Sequence, residues 1–331
     1  MGYSTRSPPH RSATALRRRS TGVIPRSATM VLVSTRQVLL LALGVVAVSF
    51  SAIFIRLSHA PALSIALYRN AISAAIVLPP MLVLRRAEVK RLTRTQLALA
   101  LLAGAILAAH FALWISSLSR TTIAASVVLV TTSPIFVAVG ARVLFGERIS
   151  RRALGGILVA VAGAGVVSGG GFSLSGRAFQ GDILALLGAV AAAGYFLAGR
   201  HLRQDLSLLA YVGLVYASCT IALVPMALAG HAPLAGFPPS TWGLFLLMAI
   251  VPQMLGHTVF NYLLKDVDAT LVAIAIMGEP VGSTLLALVF FAEVPPWTAV
   301  AGGALILAGI YVAVTVQARM VRPTGVAVPL E

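Results

Sequence analysis

Two ionisable side chains, Arg69 and Glu279, lie inside long apolar stretches of the sequence, away from the arginine-rich ends of those stretches. A charge near the centre of a bilayer costs at least about 2.5 kcal/mol, so it normally faces a cavity or a partner. Glu279 could bind a cationic group or a proton, or it could be a buried carboxylate that fixes helix packing. Arg69 could bind an anionic group, extend outward to the membrane surface, or pair with Glu279. Both are candidates for substrate binding or coupling.

Two polar stripes run along apolar segments that correspond in the two halves of the chain. Their residues are spaced at i, i+4 and i+7 or i+8, which places each stripe on one face of a helix. The stripes consist of His110, Trp114 and Ser117, and of Gln253, His257 and Asn261. Each residue alone could make an ordinary interhelical hydrogen bond, but two matching stripes favour the lining of a cavity. Tyr195, with its polar tip, is a further candidate.

Two prolines, Pro134 and Pro280, stand at matching positions of two other apolar segments. Proline removes one helical hydrogen bond and frees a carbonyl group. The sequence therefore predicts two symmetric kinks, which could act as hinges, line a cavity or be static packing features. Ser133, which precedes Pro134 as Glu279 precedes Pro280, belongs with the binding or coupling candidates.

The composition identifies the class of protein that must position these residues. Of the 331 residues, 59% are hydrophobic and only 10% are charged, whereas a soluble domain has roughly a quarter of its residues charged. The net charge of +16 does not indicate a nucleic-acid partner, because the basic residues lie in the N-terminal tail and in short gaps between apolar blocks. The single cysteine, Cys219, cannot form an intrachain disulfide or a zinc cluster.

The apolar blocks predict an all-α membrane protein of ten transmembrane helices, since about 20 apolar residues in a helix span the bilayer. The predicted spans are Gln37–Ile55, Leu63–Leu84, Gln96–Leu118, Thr122–Phe145, Ala153–Val167, Asp182–Arg200, Leu208–Ala229, Thr241–Leu264, Ala269–Phe291 and Thr298–Val316. The predicted regions are a disordered basic cytosolic tail (1–36), a first five-helix repeat (37–168), a second (182–316) and a cytosolic C-terminal tail (317–331). The start of the protein could be Met1 or Met30.

The distribution of basic residues predicts the orientation of these spans. With the N-terminal tail in the cytosol, 20 of the 25 basic residues lie on the inside and three, Arg56, Arg120 and Arg177, lie on the outside. Cytosolic segments carry the excess of Lys and Arg in membrane proteins. We therefore expect a multi-pass protein of the bacterial inner membrane with both termini in the cytosol.

The two halves of the chain resemble each other. A shift of 146 residues, without gaps, superposes a set of identical residues around the fourth and fifth spans. The pairs are Pro134/Pro280, Ala141/Ala287, Val143/Val289, Phe145/Phe291, Glu147/Glu293, Gly156/Gly302 and Gly163/Gly309. Because five is an odd number of helices, the second repeat enters the membrane from the opposite face. Inverted repeats place a substrate site near the bilayer midplane between the halves.

The repeated motifs resemble those of the EamA-type members of the drug/metabolite transporter superfamily. The motifs are Thr131-Thr132-Ser133-Pro134-Ile135-Phe136, Phe145-Gly146-Glu147-Arg148-Ile149-Ser150, Gly155-Gly156 and Gly163 in the first half, and Gly278-Glu279-Pro280-Val281-Gly282, Phe291-Ala292-Glu293, Gly302-Gly303 and Gly309 in the second. Ile55-Arg56-Leu57 and Tyr68-Arg69-Asn70 are also similar to the family, and the resemblance covers about residues 37–316. It implies ten helices, cytosolic termini and the export or uptake of metabolites, amino acids or drugs.

The paired glycines and the paired motif glutamates are expected to be structural. Gly156 and Gly163, and likewise Gly302 and Gly309, are seven residues apart and share a helix face, where small residues let helices approach closely. Glu147 and Glu293 end their helices, where a carboxylate opposes the helix dipole and needs a dedicated donor.

The sequence favours a secondary transporter that works by alternating access around a midplane cavity. It contains no G-x-x-x-x-G-K-[ST] motif, so direct ATP use is not expected; proton antiport through Glu279 and facilitated movement stay open. We expect a small-molecule substrate, membrane lipid around the protein, and neither a cofactor, a metal nor nucleic acid. The alternatives are an intramembrane lipid-modifying enzyme, which needs a cluster of catalytic groups, and a non-transporting membrane scaffold.

Overall fold

The computed structural model describes residues 1–2, 34–121, 123–146, 149–167, 176–292, 294 and 297–320, and every regular element in this part of the chain is helical. The elements are α1 (Thr35–Ser58), α2 (Ala62–Leu84), α3 (Arg86–Lys90), α4 (Arg94–Ser117), α5 (Ile123–Val130), α6 (Ser133–Phe145), α7 (Arg151–Val167), α8 (Gly176–Leu202), α9 (Leu208–Ala229), α10 (Pro239–Met248), a π-helix (Ala249–His257), α11 (Thr258–Leu263), α12 (Ala269–Ile276), α13 (Glu279–Phe291) and α14 (Trp297–Met320).

Eight segments within the described residues are long and apolar enough to cross a membrane. They are Thr35–Ser58, Ala62–Leu84, Arg94–Ser117, Ala125–Phe145, Gly176–Leu202, Leu208–Ala229, Pro239–Leu263 and Ala269–Phe291. The other two predicted spans correspond to α7, which has 17 residues, and to α14, whose apolar stretch is Val300–Ala313. The chain is therefore a multi-pass helical membrane protein.

Several helices extend beyond their predicted limits. The first begins at Thr35, before the expected Gln37, because Ser34 and Gln37 form a capping box that satisfies backbone N–H groups at the helix start. In addition, α8 begins at Gly176 and α14 runs to Met320. Most of the predicted N-terminal tail (3–33) and the last eleven residues of the predicted C-terminal tail (321–331) lie outside the described residues.

The fourth and ninth predicted spans are not continuous kinked helices, which corrects the expectation from the sequence. Each consists of two helices, with breaks at residues 131–132 and 277–278, and Pro134 and Pro280 lie in the first turn of α6 and α13. Proline has no N–H to continue a helix but is well suited to the first turn. At the first break the hydroxyl oxygen of Thr131 lies 2.8 and 2.9 Å from the carbonyl oxygens of Val127 and Val128, so its one hydrogen can be donated to a backbone acceptor at the end of α5.

The eighth predicted span also differs from a regular α-helix. Its middle is the π-helix Ala249–His257, which contains Pro252, and the N–H of Thr258 donates to the carbonyl of Gln253, five residues earlier. Proline removes an α-helical hydrogen bond, and π-bulges are common at functional sites. This wider turn carries two residues of the second polar stripe, Gln253 and His257.

The helix α7 packs closely against α14 through the paired glycines. A Cβ atom added to Gly156 would lie 2.7 Å from the carbonyl oxygen of Gly309, and one added to Gly163 would lie 2.7 Å from that of Gly302. Elsewhere α1, from the first half of the chain, packs against the π-helix and α10 to α13. The long helix α1 therefore connects the two halves around the interior.

We predict that Gly156→Ala destabilises the protein whereas the neighbouring Gly155→Ala does not. An added methyl at Gly156 meets backbone atoms of Gly309 and Ala313 at 2.7 Å, while the Cβ position of Gly155 is open. Overpacking costs about 1–3 kcal/mol, and Ala in an open helical position gains up to about 1 kcal/mol over Gly. Thermal unfolding of the detergent-purified variants measures the difference. Equal shifts of the two melting temperatures would contradict close packing at Gly156.

Candidate functional site

A cavity with both polar and apolar lining residues lies in the interior, between helices from both halves of the chain. Its polar and ionisable lining residues are Ser51, Arg69, His110, Trp114, Thr131, Ser133, Tyr195, His257 and Glu279. Its apolar lining residues are Val48, Val130, Ala192, Phe196, Pro252, Phe260 and Ile276. The cavity thus joins charged groups to an apolar wall, as sites for small molecules commonly do.

The structure brings most of the predicted candidates to this one cavity. Those that line it are Arg69, His110, Trp114, Ser133, Tyr195, His257 and Glu279. Gln253 and Asn261 lie directly behind the wall, where Gln253 accepts hydrogen bonds from Arg69 and Asn261 donates to the hydroxyl of Tyr195. The remaining stripe residue, Ser117, instead donates to the carbonyl of Trp114 at 2.6 Å and contacts Ser126.

Arg69 of α2 is fully buried and does not extend outward to the membrane surface. Its Nε and Nη2 atoms donate to Gln253 Oε1 at 3.1 and 2.8 Å, and its Nη1 donates to Ser51 Oγ at 3.1 Å. The guanidinium carbon lies 4.2 Å from the centre of the Phe111 ring, a cation–π contact. These contacts join α1, α2, α4 and the π-helix at a single side chain.

Glu279 occupies the first turn of α13, directly after the helix break, and only 7% of its surface is exposed. The N-terminus of a helix favours a negative charge. Within the described part of the chain its carboxylate makes no hydrogen bond, and no Arg69 nitrogen lies within the 4.0 Å of a salt bridge. The two charges therefore line the same cavity without direct contact, so each is available to a bound molecule.

Two histidines, one from each stripe, face each other across the cavity. The ring centres of His110 and His257 are 6.4 Å apart, and the His110 ring stacks on Trp114 at 6.0 Å. His110 Nδ1 lies 2.9 Å from the carbonyl oxygen of Gly188, which can only accept, so Nδ1 carries the hydrogen. The Nδ1 atom of His257 has no hydrogen-bond partner among the described residues. Both rings can therefore offer a polar atom to a bound molecule.

The sequence did not single out Ser51, Thr131 or the apolar wall of the cavity. Ser51 is one of three serines in the second half of α1, and its contact with Arg69 depends on how α1 packs against α2. Thr131 belongs to the quoted motif around Pro134 but lies in the helix break, which the sequence did not predict. A weak signal existed in both cases, since each is a small polar residue in an apolar segment.

The remaining predicted residues lie elsewhere. Pro134 and Pro280 begin α6 and α13 beside the cavity-lining Ser133 and Glu279, but they are not lining residues themselves. Glu147 and Glu293 lie outside the described residues. In the part of the chain that the structure describes, no group of three or more His, Cys, Asp or Glu residues could hold a metal ion.

Broken helices that meet at an interior cavity with polar lining are typical of membrane transporters. A sequence model described as the EamA-like transporter family matches residues 35–169 and 179–315. The chain therefore belongs to the EamA-like transporter family, and it is a membrane transporter.

Curated relatives agree with this assignment, and a solved structure shares the fold. The chain is 28% identical to the pseudopaline exporter CntI of Pseudomonas aeruginosa, over 75% of this chain and 84% of the relative. It is also 28% identical to an uncharacterized transporter of Archaeoglobus fulgidus, over 61% and 70% of the two chains. A probable terminal-alkyne amino-acid exporter of Streptantibioticus cattleyicolor is 26% identical, over 55% and 61%. One crystal structure has a TM-score of 0.72 at 21% identity, over 85% of this chain and 97% of that chain, and shares the fold.

Proposed function

We propose that the protein is a secondary transporter that moves small metabolites, amino acids or drugs across the bacterial inner membrane by alternating access. The observation that carries the proposal is the shared cavity, to which the first half of the chain contributes Arg69 and the second half contributes Glu279. A site built jointly by two halves can open to either side when the halves move relative to each other. Two relatives are named exporters, which supports export as the direction.

The proposed architecture has ten spans, in two inverted five-helix repeats at 37–168 and 182–316, with both tails in the cytosol. The matching positions of the two helix breaks support the inverted repeats, because Ser133-Pro134 and Glu279-Pro280 occur 146 residues apart. The distribution of basic residues supports the cytosolic termini. A midplane site at broken helices fits this arrangement.

Glu279 is the proposed binding site for a cationic group or for a coupling proton. It is a buried carboxylate without a counter-ion contact in the described residues, at the start of a half-helix. An intramembrane acid with these properties is costly to maintain and is commonly functional. An enzymatic or scaffolding role is not favoured, since the matched family is a transporter family.

The first test measures transport of a solute. The solute is first identified by comparing the metabolites of cells that lack the protein with those of cells that overexpress it. We predict that Glu279→Gln lowers flux into proteoliposomes by about tenfold or more, equal to about 1.4 kcal/mol, and abolishes any response to an imposed pH gradient. Asp266→Asn is the matched control, because Asp266 is an exposed carboxylate outside the spans. Gradient dependence that survives in the Gln variant would remove Glu279 from the proton path, and unchanged flux would remove it from the site.

The second test concerns the inverted repeats. Ser119 and Lys265 are repeat-equivalent, 146 residues apart, and both are exposed. We predict that Ser119→Cys reacts with a membrane-impermeant maleimide added to intact cells, whereas Lys265→Cys reacts only after permeabilisation. The background is Cys219→Ala, which removes the chain's single cysteine. Labelling of both positions from the same side would show that the two halves are parallel and not inverted.

A further inference from the structure

The hydrogen-bond partners of Arg69 are all electrically neutral. Its three bonds go to the amide oxygen of Gln253 and the hydroxyl oxygen of Ser51, and its remaining contact is the face of the Phe111 ring. In the described part of the chain no carboxylate lies within salt-bridge distance of the guanidinium. The partners therefore fix the position of the side chain without forming an ion pair with it.

The hydrogen-bond donors of the Arg69 guanidinium are only partly used. A guanidinium has five N–H donors, and three are used by these bonds. Arg69 is 0% exposed, yet it lines the cavity. Burial of an arginine without a direct ion pair is expensive in an apolar interior. An anion in the cavity would offset that cost and accept the free N–H groups.

The same part of the molecule contains further unused donors. Nε1 of the cavity-lining Trp114 and Nε2 of Gln253 are both buried without a hydrogen-bond partner among the described residues. The indole N–H can only donate. A buried donor without a partner is destabilising, so a bound acceptor would be stabilised by the indole as well as by the guanidinium.

We infer that Arg69 and Trp114 form a subsite for an anionic group of the substrate, a carboxylate in its simplest form, and that Gln253 and Ser51 are positioning residues for the guanidinium. This inference rests on the proposed function and deepens it, because it assigns one charged group to the substrate. The subsite lies in the same cavity as Glu279, which leaves the carboxylate of Glu279 for a cationic group or a proton.

The neutrality of Gln253 is essential to this assignment. A glutamate at position 253 would offer the guanidinium an equally placed oxygen acceptor, but it would also neutralise the charge that the substrate requires. Two parallel N–H···O bonds between arginine and carboxylate form a strong ion pair. Gln253→Glu should therefore keep Arg69 in place while it removes anion binding. Ser51→Asp introduces the same negative charge from α1.

Iodide quenching of Trp114 fluorescence tests the subsite without a known substrate. The full chain is purified into nanodiscs with Trp242→Phe and Trp297→Phe, which leaves Trp114 as the only one of three tryptophans. We expect iodide to quench Trp114, and the quenching constant to fall about tenfold or more in Gln253→Glu and Ser51→Asp, because a like charge opposes the anion. Acrylamide, a neutral quencher, should act equally on all three proteins.

A second measurement uses the single-tryptophan protein in which Gln253 and Ser51 are unchanged. Acetate should relieve the quenching by iodide, whereas acetamide, its neutral counterpart, should not. Equal effects of acetate and acetamide would overturn the subsite, as would the absence of iodide quenching or iodide quenching that both charge variants leave unchanged. These measurements need no transport, so a positive result with no solute flux would retain the subsite and reject the proposed function.

Discussion

The charge of Arg69 in an apolar interior is the constraint on which the centre of the structure depends. A guanidinium at this depth must be hydrogen-bonded on several sides at once. Its partners come from α1 (Ser51) and the π-helix (Gln253), and its ring contact comes from α4 (Phe111). Because Gln253 lies 184 residues from Arg69 in the sequence, this one side chain ties the first half of the chain to the second across the cavity.

Interrupted helices supply the polar character that the cavity needs. The breaks before Ser133 and Glu279 place both residues at the start of a half-helix, and the π-helix carries Gln253 and His257. Irregular backbone is tolerated in a membrane where it is buried in protein or lines a cavity. Pro134 lacks a backbone N–H, but it lies in the first turn of α6, where that group would have no intrahelical partner. The departures from regular helix thus coincide with the residues that can bind a molecule.

The sequence predicted the residue types of the site better than their environment. Isolated charges and polar stripes in apolar segments identified Arg69, Glu279 and the two histidines, because polarity in a membrane span is visible in the sequence. The helix breaks, the π-helix and the role of Ser51 could not be predicted. They depend on packing between distant segments: the bonds of Arg69 to Gln253 and to Ser51 exist only once α1, α2 and the π-helix are assembled.

Joining of the two polar stripes in one cavity is tested most directly by cross-linking His110→Cys to His257→Cys in a Cys219→Ala background. The two rings are 6.4 Å apart, so a short thiol-specific linker should connect the positions, with the linked peptides detected by mass spectrometry. The control pairs His110→Cys with Leu255→Cys, since Leu255 is 44% exposed on the same π-helix. We expect a link through position 257 and little through 255. Equal yields from both pairs, or none from 257, would contradict a shared cavity.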